Sequence, residues 1–210
     1  MNHYEKIDFS QNGEQATILN YFKNEFNGHF LDIGANDGLT LSNTRALMLK
    51  GWSGVMVEPS PSVFKLLEKN CKGYPVECLN VGIGNENGEF ELLESDSHLV
   101  NGNNNNLALL STFDKKEIDR WKGTQVFTPV MVEMQTYQAA GLTNHSFDLI
   151  SIDAEGLDID ILKQIGLCYT RMLIIEWNGE VERKRDILDY CKGFGMQLFK
   201  QNGENLILTK

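Results

Sequence analysis

The stretch FLDIGANDGLTLSNT, Phe30 to Thr44, decides how the rest of the chain reads. A short apolar run of Phe30, Leu31 and Ile33 ends in the turn Gly34-Ala35-Asn36-Asp37-Gly38, and a segment with helical spacing follows. That order is the pattern of a buried strand, a tight loop and a helix whose N-terminus opens onto the loop. Such a junction gathers unbonded backbone N–H groups and the positive end of a helix dipole at one point. It is a seat for a small polar ligand.

Working outward, residues 12–26 carry Ile18, Leu19, Phe22 and Phe26 at helical spacing, closed by Gly28. Beyond the loop, Leu41, Ala46, Leu47 and Leu49 predict the buried side of a helix that ends at Lys50-Gly51. Residues 53–58 predict a second strand ending in an acid, Glu58, and Ser60-Pro61 starts a helix with Val63, Phe64, Leu67 and Cys71 facing inward. Residues 75–81 predict a third strand, and 89–93 an exposed edge strand. The polar run 95–107, with Asn103 to Asn106, predicts a loop. Asp114 and Glu117 form a capping box with a Phe113–Ile118 staple, predicting a short helix to about Trp121.

Residues 126–134 alternate as a strand. Residues 147–152 form an apolar strand ending in Asp153, 157–165 a helix, and 171–176 a strand ending in Glu176. A helix over 180–192 turns Val181, Ile187, Leu188 and Cys191 inward, and 197–200 and 205–209 pair around Asn202-Gly203. Strands alternating with helices give an α/β fold, doubly wound, with a mostly parallel sheet and one antiparallel strand. A single domain over residues 1–210 is expected, with an insertion at about 95–128.

Composition narrows the function. Hydrophobic content of 41% and charged content of 23% indicate a globular chain. The net charge of −10, with 19 basic residues thinly spread, leaves no basic stripe for nucleic acid. The polar start lacks the apolar core of a signal peptide, and no run is long enough to span a bilayer, so a cytoplasmic location is expected. Cys71, Cys78, Cys168 and Cys191 show no metal-binding spacing and read as reduced core thiols; no metal site is expected.

In open α/β sheets ligands sit beyond the carboxyl ends of the strands, so the residues there carry the chemistry. They are Asp32 with the 34–38 loop, Glu58, the run Asp153-Ala154-Glu155-Gly156, and Glu176-Trp177-Asn178. An acid ending strand two, about twenty residues past the loop, suits the hydroxyls of an adenosine ribose. Both NAD and S-adenosyl-L-methionine carry one. A dinucleotide loop needs G-x-G-x-x-G for close approach to a diphosphate, whereas here Asn36 stands at the second glycine and Asp37 beside it. A carboxylate there opposes a diphosphate and suits an ammonium and sulfonium. The loop therefore favours S-adenosyl-L-methionine.

FLDIGANDGLTLSNT, GWSGVMVEPSPSVFKLLEKN and FDLISIDAEGLDIDILKQI together resemble the FkbM-type family of class I S-adenosylmethionine-dependent methyltransferases, and SQNGEQ at residues 10–15 resembles the segment before their first strand. The resemblance implies a seven-stranded Rossmann-like sheet. It implies that Asp32, Gly34, Asn36 and Gly38 hold the methionine part of the cofactor, with Ala35, Asp37 and Asn43 also among the cofactor-binding residues. Glu58 would bind the ribose, Pro59 and Ser60 would line the adenine side, and Asp153, Glu155 and Gly156 would lie near the transferred methyl. Ser151 stands where the family often has Lys, and Asp158 where it often has Glu.

Methyl transfer to a hydroxyl profits from a general base, and Asp153 or Glu155 is the candidate. Glu155 equally suits a helix N-terminus, and Asp153 a cofactor-positioning role. His29 and His145 flank strands, His98 lies in the polar run, and Trp121 and Phe127 could stack on a sugar or pack the insertion. The expected activity is O-methylation of a small-molecule or glycan acceptor, the family supplying that substrate class. The competing readings are a cofactor-binding module without catalysis and an NAD-dependent oxidoreductase. Oligomeric state is not written in the sequence.

Overall fold

The computed structural model describes residues 7–23, 27–95, 111–113, 126–154 and 156–210. Its main sheet contains β1 (His29–Ile33), β2 (Ser53–Val57), β3 (Val76–Leu79), β7 (Leu149–Ile152), β8 (Met172–Glu176), β9 (Gln197–Asn202) and β10 (Asn205–Thr209). The strands lie in the order β3-β2-β1-β7-β8-β10-β9, seven in all. Every pairing from β3 to β8 is parallel, and β10 runs antiparallel to both its neighbours. The expected mostly parallel, doubly wound sheet with one antiparallel strand is what forms.

Alternation along the strands builds two cores. Leu31, Ile33, Val55, Ile150, Ile152, Leu173 and Ile175 point to one face, with Ile161 of α4 (Asp158–Leu162) and Ile187 of α5 (Val181–Lys192). Phe30, Met56, Leu149, Met172 and Ile174 point to the other. There they meet Ile18 of α1 (Glu14–Tyr21), Leu47 of α2 (Arg45–Leu49) and Leu67 of α3 (Pro61–Cys71). Strands buried on both faces read as continuous apolar runs, which is why 147–152 and 171–176 stand out in the sequence. Each such side chain contributes roughly 1.5–3 kcal/mol.

A second sheet sits apart from the first. It joins β4 (Gly82–Ile83), β5 (Gly88–Ser95) and β6 (Phe127–Gln135) in the order β4-β6-β5. As expected, β5 is an edge strand, although both Leu92 and Leu93 are buried. Gln164, just past α4, ties this layer to the main body: its side chain donates to Gly84 O at 3.0 Å and accepts from Tyr137 N at 3.0 Å.

Several expectations change. No helix follows the 34–38 loop directly; α2 begins at Arg45, and Leu41 is exposed with φ 53°. The cause is local competition for backbone groups. Asp37 Oδ1 accepts from Leu39 N and Thr40 N at 2.9 and 2.7 Å, and Ser42 Oγ accepts from Arg45 N at 3.1 Å. These bonds fold the segment into turns. Val181 is 77% exposed because it opens α5 on the solvent side. Of the four thiols, all free, Cys71 and Cys191 are buried while Cys168 is exposed.

The expected Ser60 cap is present, its Oγ accepting from Val63 N at 3.2 Å. The predicted helix from Asp114 to Trp121, with Glu117 and Ile118, lies outside the described residues, as do His98, Asn103 to Asn106 and Glu155.

Candidate functional site

The loop after β1 is held by backbone bonds. Gly34 N and Ala35 N both donate to Val57 O at 3.0 Å, and Gly38 N donates to Ala35 O at 2.9 Å. Gly34 has φ 80°, and a Cβ there would stand 1.8 Å from the Asp153 carbonyl oxygen. Only glycine lets the β1 and β7 ends close to this distance. Asn36 adopts a left-handed conformation, φ 50°, and its N–H donates to Glu58 Oε2 at 3.0 Å.

Glu58 lies between two backbone donors, Oε1 accepting from Ser60 N at 2.8 Å. Burial pushes its pKa up to about 7, against those two bonds, with Glu94 and Asp32 adding to the rise. Asp32, behind the loop, accepts from Thr44 Oγ1 at 2.5 Å. Burial raises it to about 6, and the threonine bond opposes this.

Asp153 N donates to Ile33 O at 3.0 Å, fixing the end of β7 beside the end of β1. The Asp153 side chain is exposed to solvent at the cleft. Lost hydration, then Asp158, Asp32 and Glu204, push its pKa up to about 7, and the remaining solvent contact works against that rise.

Asp158, fully buried, accepts from Ala154 N at 2.9 Å and Gly156 N at 3.2 Å and pairs with Arg183 at 3.6 Å. It therefore shapes the turn that carries Asp153. At the end of β8, burial and then Asp153, Asp158 and Glu204 push Glu176 up to about 9.

These ends surround one cleft of about 650 Å³, open solvent at its mouth included. Gly34, Asn36, Glu58, Pro59, Asp153 and Ala154 give its polar side. Ile83, Leu92 and Phe113, from the small sheet and the segment beside it, give an apolar wall. The mixture of a few polar groups with apolar surface suits a small-molecule ligand.

The remaining candidates act from outside the cleft wall. Asp37 spends its carboxylate on Leu39 N, Thr40 N and Thr40 Oγ1. Its charge serves its own loop, so Asn36 and the narrow Gly34 turn are what disfavour a diphosphate. Gly38 packs over Leu67, and Ala35 is buried in the core. Ser60 supplies the N–H to Glu58. Asn43 Nδ2 donates to Ser151 Oγ at 3.1 Å, which gives the serine in the family's usual lysine position a partner.

Sequence reasoning missed the apolar wall and Asn80, whose Nδ2 donates to Glu58 O at 2.8 Å and Pro59 O at 3.0 Å. A polar residue ending strand three was the available signal. His29 and His145 stack at 5.6 Å near the opposite strand ends, away from the cleft.

A family model described as the methyltransferase FkbM domain matches residues 32–198. No curated protein sequence matches significantly. Among solved structures, a hypothetical protein of Thermus thermophilus is 14% identical with a TM-score of 0.50, over 96% of this chain and 86% of that one. The precorrin 8w decarboxylase of Methanobacterium thermoautotrophicum is 12% identical with a TM-score of 0.50, over 98% and 94%. A ribosomal protein L11 methylase of Lactobacillus delbrueckii is 14% identical with a TM-score of 0.48, over 95% and 79%. At these identities the likeness to the two structures with a TM-score of 0.50 concerns the fold alone. No helix among the described residues is long and apolar enough to cross a membrane.

Proposed function

The chain belongs to the methyltransferase FkbM family, and on that premise we propose that it transfers the methyl group of S-adenosyl-L-methionine to a hydroxyl of a small-molecule or glycan acceptor. The observation that carries the reading is the placing of Glu58 and Asp153 on one cleft, either side of the Gly34–Asn36 turn. The cofactor supplies an electrophilic methyl; the chain supplies alignment and a proton acceptor.

In this reading Glu58, preorganised by Asn36 N and Ser60 N, accepts the ribose hydroxyls. Gly34 and Asn36 bring backbone close to the methionine part, Asp32 adds negative potential behind it, and Pro59 borders the adenine. Asp153 faces the cleft at the end of β7 and takes the acceptor's proton, its raised pKa suiting a base near neutrality. Glu155 remains the alternative base. The apolar wall of Ile83, Leu92 and Phe113 excludes water from the reacting atoms.

Calorimetry with S-adenosyl-L-methionine, S-adenosyl-L-homocysteine and NAD tests the cofactor. The first two should bind and NAD should not; the reverse ends the methyltransferase reading. Transfer of labelled methyl into a panel of sugars and hydroxylated natural products then tests the acceptor class. Cofactor binding with no transfer from the Asp153-intact protein to any of them would favour the non-catalytic module.

A further inference from the structure

Two thiols meet beneath the 34–38 loop. Cys71 ends α3 and Cys78 lies on β3, both packed in the core on the α3 side of the main sheet. Met56 relates the two positions: it is the β2 register partner of Cys78, and its Sδ lies 3.4 Å from Cys71 Sγ. The Cys71 and Cys78 side chains are hydrogen-bonded to each other. Tyr74 N donates to Cys71 O at 3.0 Å in the turn that leads from the helix end to the strand. Cys71 is buried and Cys78 half-buried, so Cys78 is the sulfur that a small oxidant reaches first.

Each thiol adjoins a residue that holds the cleft. Beside Cys71, Asn70 Nδ2 donates to Asp37 O at 2.8 Å, and a Cβ on Gly38 would lie 3.6 Å from Cys71 Sγ. Beyond Cys78 along the chain, Leu79 O accepts from Glu58 N at 3.0 Å, and Asn80 Nδ2 donates to Glu58 O at 2.8 Å. The helix end therefore supports the 34–38 loop, and the strand end supports Glu58.

We propose that Cys71 and Cys78 are an oxidisable dithiol, a modification site that hydrogen peroxide closes to a disulfide, loosening the loop that holds the cofactor. The disulfide stands on the thiol contact; its effect on binding rests on the cofactor assigned above. Cys78 Sγ attacks the peroxide, the O–O bond breaks, and a sulfenic acid and one water result. Cys71 Sγ then attacks the sulfenic sulfur, forming the S–S bond, breaking the S–O bond and releasing a second water. The two thiols give up two electrons and two protons, and the peroxide takes them up.

An S–S bond is about 2.05 Å long, far shorter than a thiol–thiol contact, so closing it draws the end of α3 toward β3. Asn70 moves with that end, away from Asp37 O. Losing this one tie to the loop lowers affinity for the cofactor by about three- to tenfold. Linkage makes the effect reciprocal, bound cofactor disfavouring the disulfide by the same factor. Cys191, buried in the opposite core, and Cys168, exposed, serve as internal controls.

The full chain, treated with equimolar hydrogen peroxide and quenched with catalase, is mapped by mass spectrometry. The expected result is a Cys71–Cys78 link, with the mass of two hydrogens lost and then regained in dithiothreitol. Oxidation confined to Cys168, or Cys78 passing to sulfinic acid without the link, overturns the proposal. Calorimetry with S-adenosyl-L-homocysteine should then find the oxidised chain about three- to tenfold weaker than the reduced one. Cys78→Ser should abolish that response and Cys168→Ser should keep it; a response that survives Cys78→Ser overturns the assignment to this pair. A link formed with unchanged affinity overturns the coupling to the loop and leaves the cofactor assignment standing. Failure of the reduced chain to bind overturns the cofactor assignment and the coupling, while the mapped link upholds the dithiol.

Discussion

Replacing Gly34 with alanine probes the contact that brings the first and fourth parallel strand ends together. Two costs are separable. Alanine at φ 80° sits in the left-handed region, a penalty of roughly 1–2 kcal/mol. Its Cβ would also stand 1.8 Å from the Asp153 carbonyl oxygen, which is backbone and held by Asp153 N–Ile33 O at 3.0 Å. Relief requires β1 and β7 to part at their ends, adding about 1–3 kcal/mol by analogy with overpacked cores.

Gly51 supplies the control: φ is 92° there and nothing lies within 4 Å of an added Cβ, so Gly51→Ala carries only the backbone penalty. Urea denaturation of both variants without ligand should therefore show Gly34→Ala less stable than Gly51→Ala by about 1–3 kcal/mol. Calorimetry should show S-adenosyl-L-methionine binding lost in Gly34→Ala and kept in Gly51→Ala. Equal destabilisation of the two would mean that the loop relaxes freely and that Asp153 does not require glycine at position 34.

Glu58→Ala should weaken S-adenosyl-L-methionine binding by about 1–3 kcal/mol, the scale of charge-assisted hydrogen bonds, with Glu58→Gln losing less because one acceptor remains; unchanged affinity by calorimetry would move the ribose elsewhere. The ligand-free protein should lose stability as pH rises. Asp32, Glu58, Asp153 and Glu176 have folded pKa values of about 6, 7, 7 and 9, all above their ordinary carboxyl range. The folded state thus binds more protons than the unfolded one, and stability present below about pH 4 drains away through pH 9. A Tm that is flat or rises from pH 6 to 9 would contradict this. Ser60→Ala should cost about 1 kcal/mol in urea denaturation, through the lost cap on α3 and the lost bond to Glu94. No change would show that solvent replaces both bonds.

The parallel strands were legible because burial on both faces leaves its mark as an unbroken apolar run, and an acid after three of those runs marked the strand ends around the cleft. Glu58, Asp153 and Glu176 all follow from that one pattern. The segment after Gly38 was not legible from periodicity. Leu41, Ala46, Leu47 and Leu49 have helical spacing, yet the Asp37 and Ser42 side chains capture the backbone N–H groups a helix would use. Those residues were visible, but their preference for turns had to be weighed against the apolar spacing, and the polar side chains win there.

The small sheet was harder still. Its β4 strand has two residues, too few for any period, and it exists because the distant β6 pairs with it. The apolar wall of the cleft depends on that long-range pairing, so Ile83 and Leu92 carried no local sign of their place. The side of the cleft built from the strand ends is local in sequence and was readable; the side formed by the small sheet is not.

The ladder between β5 and β6 ends on the pair Ser95 and Phe127. The chain leaves this hairpin and re-enters it at residues that face each other, and on the way Thr112 bonds back to Leu93 through two backbone bonds. An excursion anchored at adjacent points can lengthen cheaply, because loop-closure entropy grows only with the logarithm of length. Neither β1, β2 nor β7 has to move when it does. Changes of length between Ser95 and Phe127 therefore leave the strand ends that carry Gly34, Glu58 and Asp153 where they are. The same boundary makes Ser95 and Phe127 natural junctions for exchanging the segment between them without touching the main sheet.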